Sequence, residues 1–395
     1  MPAPVVLASI GVLVVSLDSS LNIALPDMAA AFGISASAIR WVIIYYVLTY
    51  ALTAFAAGVL ADHLGADRVF TAGFWLSGIA FAAYLASPSF AAVLALRVAQ
   101  GVGGGLIYGT APALVTQALP RERHGRGLGV MSLGLGAGMT VGPVLGGLLV
   151  YAFGWRAVFV YRAPIAIGVA MVAMAWTARS RTRSRVSRMP LSRAILRVKV
   201  LRYAALAFLA NYAQFAIWLL VPFYLVTARA VPPLAGGLLF ALTPFTTALT
   251  APSAGWAADR MGARWPAVVG LAVETFGLFA ISRLDIESTL AQLAVGLVLV
   301  GLGVGIFQVS NLAEMMSAFP RAQQGAAGGL AFLGRTLGSA AGVQITAMLF
   351  DARLPAEGFL RAFQWAFLGA TAAAGLAVVI GLMPVGERAR ETASA

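Results

Sequence analysis

The chain has 395 residues and is too apolar to be a soluble protein. Apolar residues make up 61% of it, charged residues 10%, and the mean hydropathy is +0.89, whereas soluble domains are about 45–50% apolar and about 25% charged. It has no cysteine and only two histidines, so disulfides and thiolate metal centres are excluded and no His- or Cys-based catalytic pair can be assembled. We therefore expect a protein embedded in a lipid bilayer, with no enzyme activity, no bound metal and no cofactor.

Twelve stretches are long and apolar enough to cross a bilayer as helices, which takes about 20 residues each. The first stretch lacks the basic N-terminal region of a signal peptide, so we interpret it as a retained helix. The sequence predicts an all-α membrane protein with twelve transmembrane helices in two bundles of six. The predicted spans are 4–25, 38–60, 69–86, 90–115, 127–150, 156–177, 203–226, 234–255, 265–282, 289–311, 325–350 and 360–383.

Basic residues are distributed unevenly over the predicted loops. If the N-terminus is cytoplasmic, the loops and tail on that side hold eighteen of them and the outer connections hold seven. Because Lys and Arg are enriched on the cytoplasmic side, we expect both termini to be cytoplasmic, in a membrane of the bacterial plasma-membrane type. The net charge of +13 is then explained by topology and by contact with anionic membrane lipids, so we expect no nucleic-acid partner.

The longest polar interruption, 178–202, divides the chain into two similar halves. The predicted organisation is a six-helix bundle at 1–177, a basic cytoplasmic linker at 178–202, a second bundle at 203–384 and a tail at 385–395. Sequence 58–66 recurs as 255–263, and the glycines at 101, 103 and 105 recur at 301, 303 and 305. Repeated halves are typical of transporters that rock about a central site.

Polar side chains inside the spans occur as pairs at helical spacing in every third span. An unsatisfied polar group in lipid is costly, so the pattern predicts that spans one, four, seven and ten line one aqueous path. The alternative is that the amides only hold neighbouring helices together. The pairs are Asp18 with Asn22, Arg97 with Gln100, Asn211 with Gln214, and Gln308 with Asn311.

Several motifs resemble those of one transporter family. They lie at 18–26, 58–68, 94–101, 155–164 and 335–342, and in the glycine pattern of the fifth span. Together they resemble the major facilitator superfamily, and within it the drug/proton antiporters. The chain departs from that pattern in three ways. It has room for twelve spans rather than fourteen, and His63, Ala66 and Asp67 stand where the signature loop usually has basic residues. It also has Arg162 where such exporters usually have Asn. The last departure leaves the charge of the substrate open, and Arg162 itself is either an interfacial residue or a substrate ligand.

The resemblance implies which residues gate the transporter. The signature loop and its repeat would latch the two halves together in the outward-facing state, although turn formation alone also calls for Asp and Gly there. The glycines and proline of the fifth span would seal the contact between the halves, although generic helix packing also favours them. The candidate gating residues are Gly58, Asp62, Gly65, Arg68, Gly138, Gly142, Pro143, Gly146, Asp259 and Gly262.

The candidate mechanism is alternating access coupled to protons. Asp18 is the main proton-coupling candidate because it lies in the outer half of the membrane, with Arg97 as its partner; Glu274, midway along span nine, is either a second coupling carboxylate or a bystander. From the resemblance we expect a monomer that exports amphipathic or lipophilic small molecules, with the proton as coupling ion. The alternatives are an importer or exchanger of an organic anion that uses buried arginines, and a non-transporting sensor. The candidate substrate-binding residues are Asn22, Tyr45, Tyr108, Asn211, Gln214, Trp218, Gln308, Asn311 and Arg335.

Overall fold

The computed structural model describes residues 1–34, 39, 41–179, 197–231 and 233–383, and these residues are almost entirely helical. The predicted linker falls largely on 180–196 and the predicted tail on 385–395, both of which lie outside the described residues. We number the membrane-crossing helices as spans in chain order.

The first half contains six spans. The first is a helix at Ala3–Ser16 that continues through a 3₁₀ turn, Leu17–Ser20, into Leu21–Phe32. Its glycine cap, Gly33, has φ 62°, a conformation that glycine adopts without strain. Spans two to six are Trp41–Leu64, Ala66–Ala83, Phe90–Ala118, His124–Phe153 and Arg162–Arg179, the last preceded by a short helix at Ala157–Val160.

The second half repeats this arrangement. Gly358 has φ 75° and ψ 174° and breaks the last long helix into two spans, eleven and twelve. Spans seven to ten are Val198–Phe223, Pro233–Met261, Arg264–Ser282 and Leu290–Ala318, and spans eleven and twelve together occupy Gln324–Leu382.

The predicted twelve-helix architecture is confirmed. Ten segments of the described chain are long and apolar enough to cross a membrane, and Arg321–Leu382 counts as one of them although Gly358 divides it. The remaining span is Pro233–Met261, a helix of 29 residues with two prolines, Pro244 and Pro252, in its interior. Its threonines donate hydrogen bonds to backbone carbonyls, such as Thr247 to Gly301 O at 3.0 Å, which satisfies them inside the bundle.

Glycines let equivalent helices approach closely in the two halves. In the first half, a Cβ at Gly105 would lie 2.9 Å from the backbone oxygen of Tyr50, so spans two and four touch through their backbones. In the second half, a Cβ at Gly305 would lie 2.7 Å from the backbone oxygen of Thr247, so spans eight and ten do the same. The repeated glycines are therefore packing positions between helices.

The predicted basic loops that the structure describes lie at one end of the bundle, which we call the basic end. It carries the turns after spans two, four, eight and ten. The last span also ends here, since Arg264, which follows span eight, donates a hydrogen bond to Leu382 O at 2.9 Å. The turns of the basic end after spans two and eight contain Gly65 and Gly262, with φ 96° and 78°. Both turns need a conformation that residues with a side chain rarely adopt.

Candidate functional site

Asp18 lies at the 3₁₀ turn of the first span and is bound by two arginines. Its carboxylate accepts hydrogen bonds from Arg97 Nη1 and Nη2 at 2.9 and 2.8 Å, and from Arg162 Nη1 at 3.0 Å. Gln100 Nε2 adds a fourth at 2.8 Å. The first, fourth and sixth spans are thus joined at one partly buried carboxylate, with one anion and two cations.

The two arginines are fully buried and are held by further contacts. Arg97 Nε donates to Val42 O at 2.8 Å, and its guanidinium lies 4.2 Å from the ring centroid of Tyr46. Arg162 Nε donates to Val158 O at 3.0 Å, and its guanidinium lies 4.5 Å from the ring of Phe81. Arg162 is therefore an internal partner of Asp18 and not an interfacial residue.

The sequence did not reveal this role of Arg162, because the direction of its side chain depends on local geometry. The short helix at Ala157–Val160 and the turn at Tyr161 precede the main helix of span six. These turns set the rotation with which span six begins, and in this rotation Arg162 faces span one. The one available signal was its substitution for the usual Asn, which adds a charge that needs a partner.

A row of aromatic rings connects the Asp18 cluster to the centre of the molecule. The ring centroids of Tyr46 and Tyr50 are 5.3 Å apart, those of Tyr50 and Tyr108 are 5.7 Å apart, and those of Tyr108 and Phe332 are 4.9 Å apart. The hydroxyl of Ser16, two residues before Asp18, lies 3.1 Å from that of Tyr108. The row starts at Arg97 in the first half and ends in span eleven of the second half.

A polar and aromatic cavity lies between the halves at the end of this row. It has a volume of about 130 Å³ and is partly open to solvent. Of the predicted substrate-binding residues, six line this cavity and a seventh lines the smaller space that adjoins it. They are Tyr108, Asn211, Gln214, Trp218, Gln308 and Arg335, and Asn311 lines only the adjoining space.

Tyr45 does not line this cavity, so its predicted role in substrate binding is wrong. Its side chain is 41% exposed and packs edge-on against Trp41, at 5.9 Å between ring centroids. A helix turns by about 100° per residue, so Tyr46, the next residue, faces Arg97 instead, and Tyr50 is the tyrosine of this span that lines the cavity. The side chain of Asn22 lies outside the described residues.

The two signature loops close the basic end of the molecule. Asp62 accepts hydrogen bonds from the backbone N–H groups of Gly325 and Ala326 at 2.8 and 3.0 Å, at the start of span eleven. In the second half, Asp259 accepts from Gly125 and Arg126 at 2.7 and 2.9 Å, at the start of span five. Each carboxylate thus binds the positive end of a helix in the other half.

Close backbone contacts accompany both of these latches. A Cβ at Gly58 would collide with the backbone oxygen of Gly325, and a Cβ at Gly255 would collide with that of Gly125. The basic end is therefore closed through backbone contact at two symmetric places. Arg68, a further predicted gating residue, is exposed at the same end.

The candidate gating glycines of span five, Gly138, Gly142 and Gly146, do not face the other half. A Cβ at Gly138 would lie 2.5 Å from Leu13 O, and one at Gly146 would lie 2.7 Å from Ser20 O, so this face packs against span one within the first half. Gly142 faces Ser19 of the same span, and Pro143 lies inside the helix next to it. The seal between the halves comes from another face of the helix, formed by Gly125, Gly129 and Gly136 against span eight.

Glu274 lies apart from both the Asp18 cluster and the cavity. It is fully buried in span nine, where span ten packs on it: a Cβ at Gly303 would collide with its backbone nitrogen. Neither carboxyl oxygen has a hydrogen-bond partner among the described residues. An ionised carboxylate would be costly in such surroundings.

Comparison with known proteins identifies the family. The family model of the Major Facilitator Superfamily matches residues 7–343, and a second match covers 203–395. The chain belongs to the Major Facilitator Superfamily. It is a multi-pass membrane transporter, and members of this superfamily are not enzymes.

Individual relatives differ in what their names say they transport. The chain is 27% identical to the riboflavin transporter RibZ of Clostridioides difficile (strain 630), over 87% of each protein. It is also 27% identical to the multidrug resistance protein Stp of Mycobacterium tuberculosis (strain ATCC 25618 / H37Rv), over 88% of this chain and 75% of the relative. A bacterial homologue of the iron transporter ferroportin, solved in an outward-facing state, matches 97% of this transporter and 99% of its own chain with a TM-score of 0.78 at 15% identity.

Proposed function

We propose that this transporter exports amphipathic or lipophilic small molecules in exchange for protons. The observation that carries the proposal is a central cavity between two halves that are latched at the basic end by Asp62 and Asp259. The basic end would face the cytoplasm of a bacterial-type cell, with both termini on that side, and the protein would work as a monomer surrounded by membrane lipids. This arrangement would be the outward-facing member of an alternating-access pair.

The composition of the cavity supports a small organic substrate. Aromatic rings of Tyr50, Tyr108 and Trp218 supply broad apolar contact surface, and the amides of Asn211 and Gln308 add hydrogen-bonding groups. Such surfaces bind by shape and apolar contact, with few directional bonds. One relative is named a multidrug resistance protein, which agrees with this substrate class, and another is named a riboflavin transporter.

Asp18 would couple the proton to the substrate through its arginines. In the described state its carboxylate is held by Arg97 and Arg162, and a proton on Asp18 would remove the anion that holds both cations in place. Arg97 lies on Tyr46, and the row of rings continues to Phe332 in the second half. A shift of Arg97 would therefore displace side chains that contact the other half. Loading and release of the proton would thereby favour different arrangements of the halves.

A second candidate function is import or exchange of an organic anion. Arg335 is the observation that favours it, since this cation lines the cavity and forms no ion pair with any residue that the structure describes. The direction of proton-linked movement separates the two candidates.

Transport in proteoliposomes with an imposed pH gradient tests the proposal. The parent should accumulate a lipophilic fluorescent substrate against its gradient, on the side from which protons leave. Asp18→Asn should lose this accumulation, Asp18→Glu should recover part of it, and Asp27→Asn, the same change at an exposed position of the first span, should behave as the parent does. Accumulation by Asp18→Asn at the parent's rate would refute the coupling role, and substrate movement in the direction of the protons would favour the second candidate.

A further inference from the structure

The charge balance of the central cavity points to the chemical class of its substrate. No Asp or Glu is among the described residues that line the cavity or the adjoining space, whereas Arg335 lines both. The guanidinium of Arg335 lies 5.3 Å from the ring centroid of Phe332, and this aromatic contact leaves its charge unneutralised.

Three acidic residues within the spans are engaged outside the cavity. Asp18 is bound by Arg97 and Arg162, so its cluster already has one cation in excess. Glu314 accepts a hydrogen bond from Tyr203 at 2.6 Å, and Glu274 lies buried in span nine behind span ten. None of these three acids lines the space between the halves in the described part of the chain.

A cationic ligand in this cavity would therefore meet only positive charge. It would face Arg335 with no carboxylate to pair with, and like charges at close range repel each other. An anionic ligand would supply the missing partner of Arg335, and a guanidinium binds carboxylates well because its planar fork donates two parallel hydrogen bonds.

The other residues that line the cavity indicate the chemistry of the rest of the ligand. Tyr50, Tyr108 and Trp218 supply aromatic faces, and Gln214 and Gln308 supply amide groups within the same space. We propose that the transported molecules carry a carboxylate or similar acidic group on an aromatic body, with the acidic group bound by Arg335. This inference rests on the proposed function in one respect only, namely that the cavity is the site of transport.

Binding of three matched compounds in detergent tests the inference without any gradient. The probes are 2-naphthoate, 2-naphthamide and 2-naphthylmethylammonium, which share a ring system and differ in charge, and calorimetry measures each affinity. We expect naphthoate to bind about tenfold more tightly than the amide, because charge-assisted hydrogen bonds are stronger than those between neutral groups. The ammonium compound should bind most weakly.

Variants locate the preference at Arg335. Arg335→Gln should abolish the preference for naphthoate while leaving the affinity for the neutral amide within about twofold, and the retained amide binding shows that the variant is folded. Arg335→Lys should keep the preference in weaker form. Arg353→Gln is the matched control, because Arg353 is an exposed partner of Glu357 outside the cavity.

Three results would overturn the inference: no binding of naphthoate, equal binding of the ammonium compound, or an undiminished preference in Arg335→Gln. If naphthoate binds through Arg335 and is transported only down its own gradient, independently of the pH gradient, the proposed proton coupling fails and the substrate class stands. If a lipophilic cation is exported through the same cavity, the substrate class fails and the coupling stands.

Discussion

Removing the charge of Asp18 should destabilise the first half strongly. Asp18→Asn keeps the shape of the side chain but leaves Arg97 and Arg162, both fully buried, without an anion. Loss of one partner from a buried ion pair costs about 3–5 kcal/mol. Because Asn can still accept a hydrogen bond, we expect Asp18→Asn to lower the free energy of unfolding by about 3 kcal/mol, at the lower end of that range.

A second substitution shows whether charge is the cause. Asp18→Asn with Arg162→Asn returns the cluster to one excess cation, as in the parent, and places the usual residue of related exporters at position 162. We expect the double variant to recover about 1–2 kcal/mol relative to Asp18→Asn, a coupling typical of residues in direct contact.

Denaturation in detergent micelles, followed by tryptophan fluorescence, measures both effects. Asp27→Asn is the control, since changes at exposed positions are usually within about 0.5 kcal/mol. The reasoning is wrong if Asp18→Asn is as stable as the parent, or if Arg162→Asn adds its own loss to that of Asp18→Asn instead of offsetting it.

The closed basic end and the isolated carboxyl give further predictions. Asp62→Asn and Asp259→Asn each weaken charge-assisted hydrogen bonds worth about 1.5–3 kcal/mol. A cysteine placed at the fully buried position Ala327 should therefore react with a thiol reagent about tenfold faster in either variant. A cysteine at Ala170, which is buried within the first half, should not react faster. Unchanged reactivity at position 327 would contradict the latch. Glu274→Gln should leave gradient-driven uptake into proteoliposomes within about twofold of the parent and change stability by less than about 1 kcal/mol; loss of proton coupling in this variant would instead make Glu274 part of the pathway.

The sequence predicted the architecture because its signals are local. Apolar length and the repeated loop motifs are enough to give twelve spans in two halves. The central amides were also accessible to sequence reasoning, because Asn211, Gln214 and Gln308 would be costly if they faced lipid.

What the sequence could not give depends on helix rotation and on contacts between distant helices. Tyr45 and Tyr46 are adjacent aromatic residues in one helix, and only the packing of spans two and four decides which of them faces Arg97. Gly138 and Gly136 likewise lie on two faces of span five, one against span one and the other against span eight. Composition does not distinguish between such neighbours.

The most direct test of alternating access is a pair of distance measurements on spin-labelled protein in lipid. The chain has no native cysteine, so labels can be placed at Leu64 and Met261 near the basic end, which are 50% and 66% exposed, and at Tyr151 and Ile286 near the opposite end, which are 93% and 72% exposed. On acidification or substrate addition, and in the variant with both Asp62→Asn and Asp259→Asn, the basic-end distance should lengthen while the opposite-end distance shortens. Distances that stay fixed under all of these conditions, or that change in the same direction, would contradict the account.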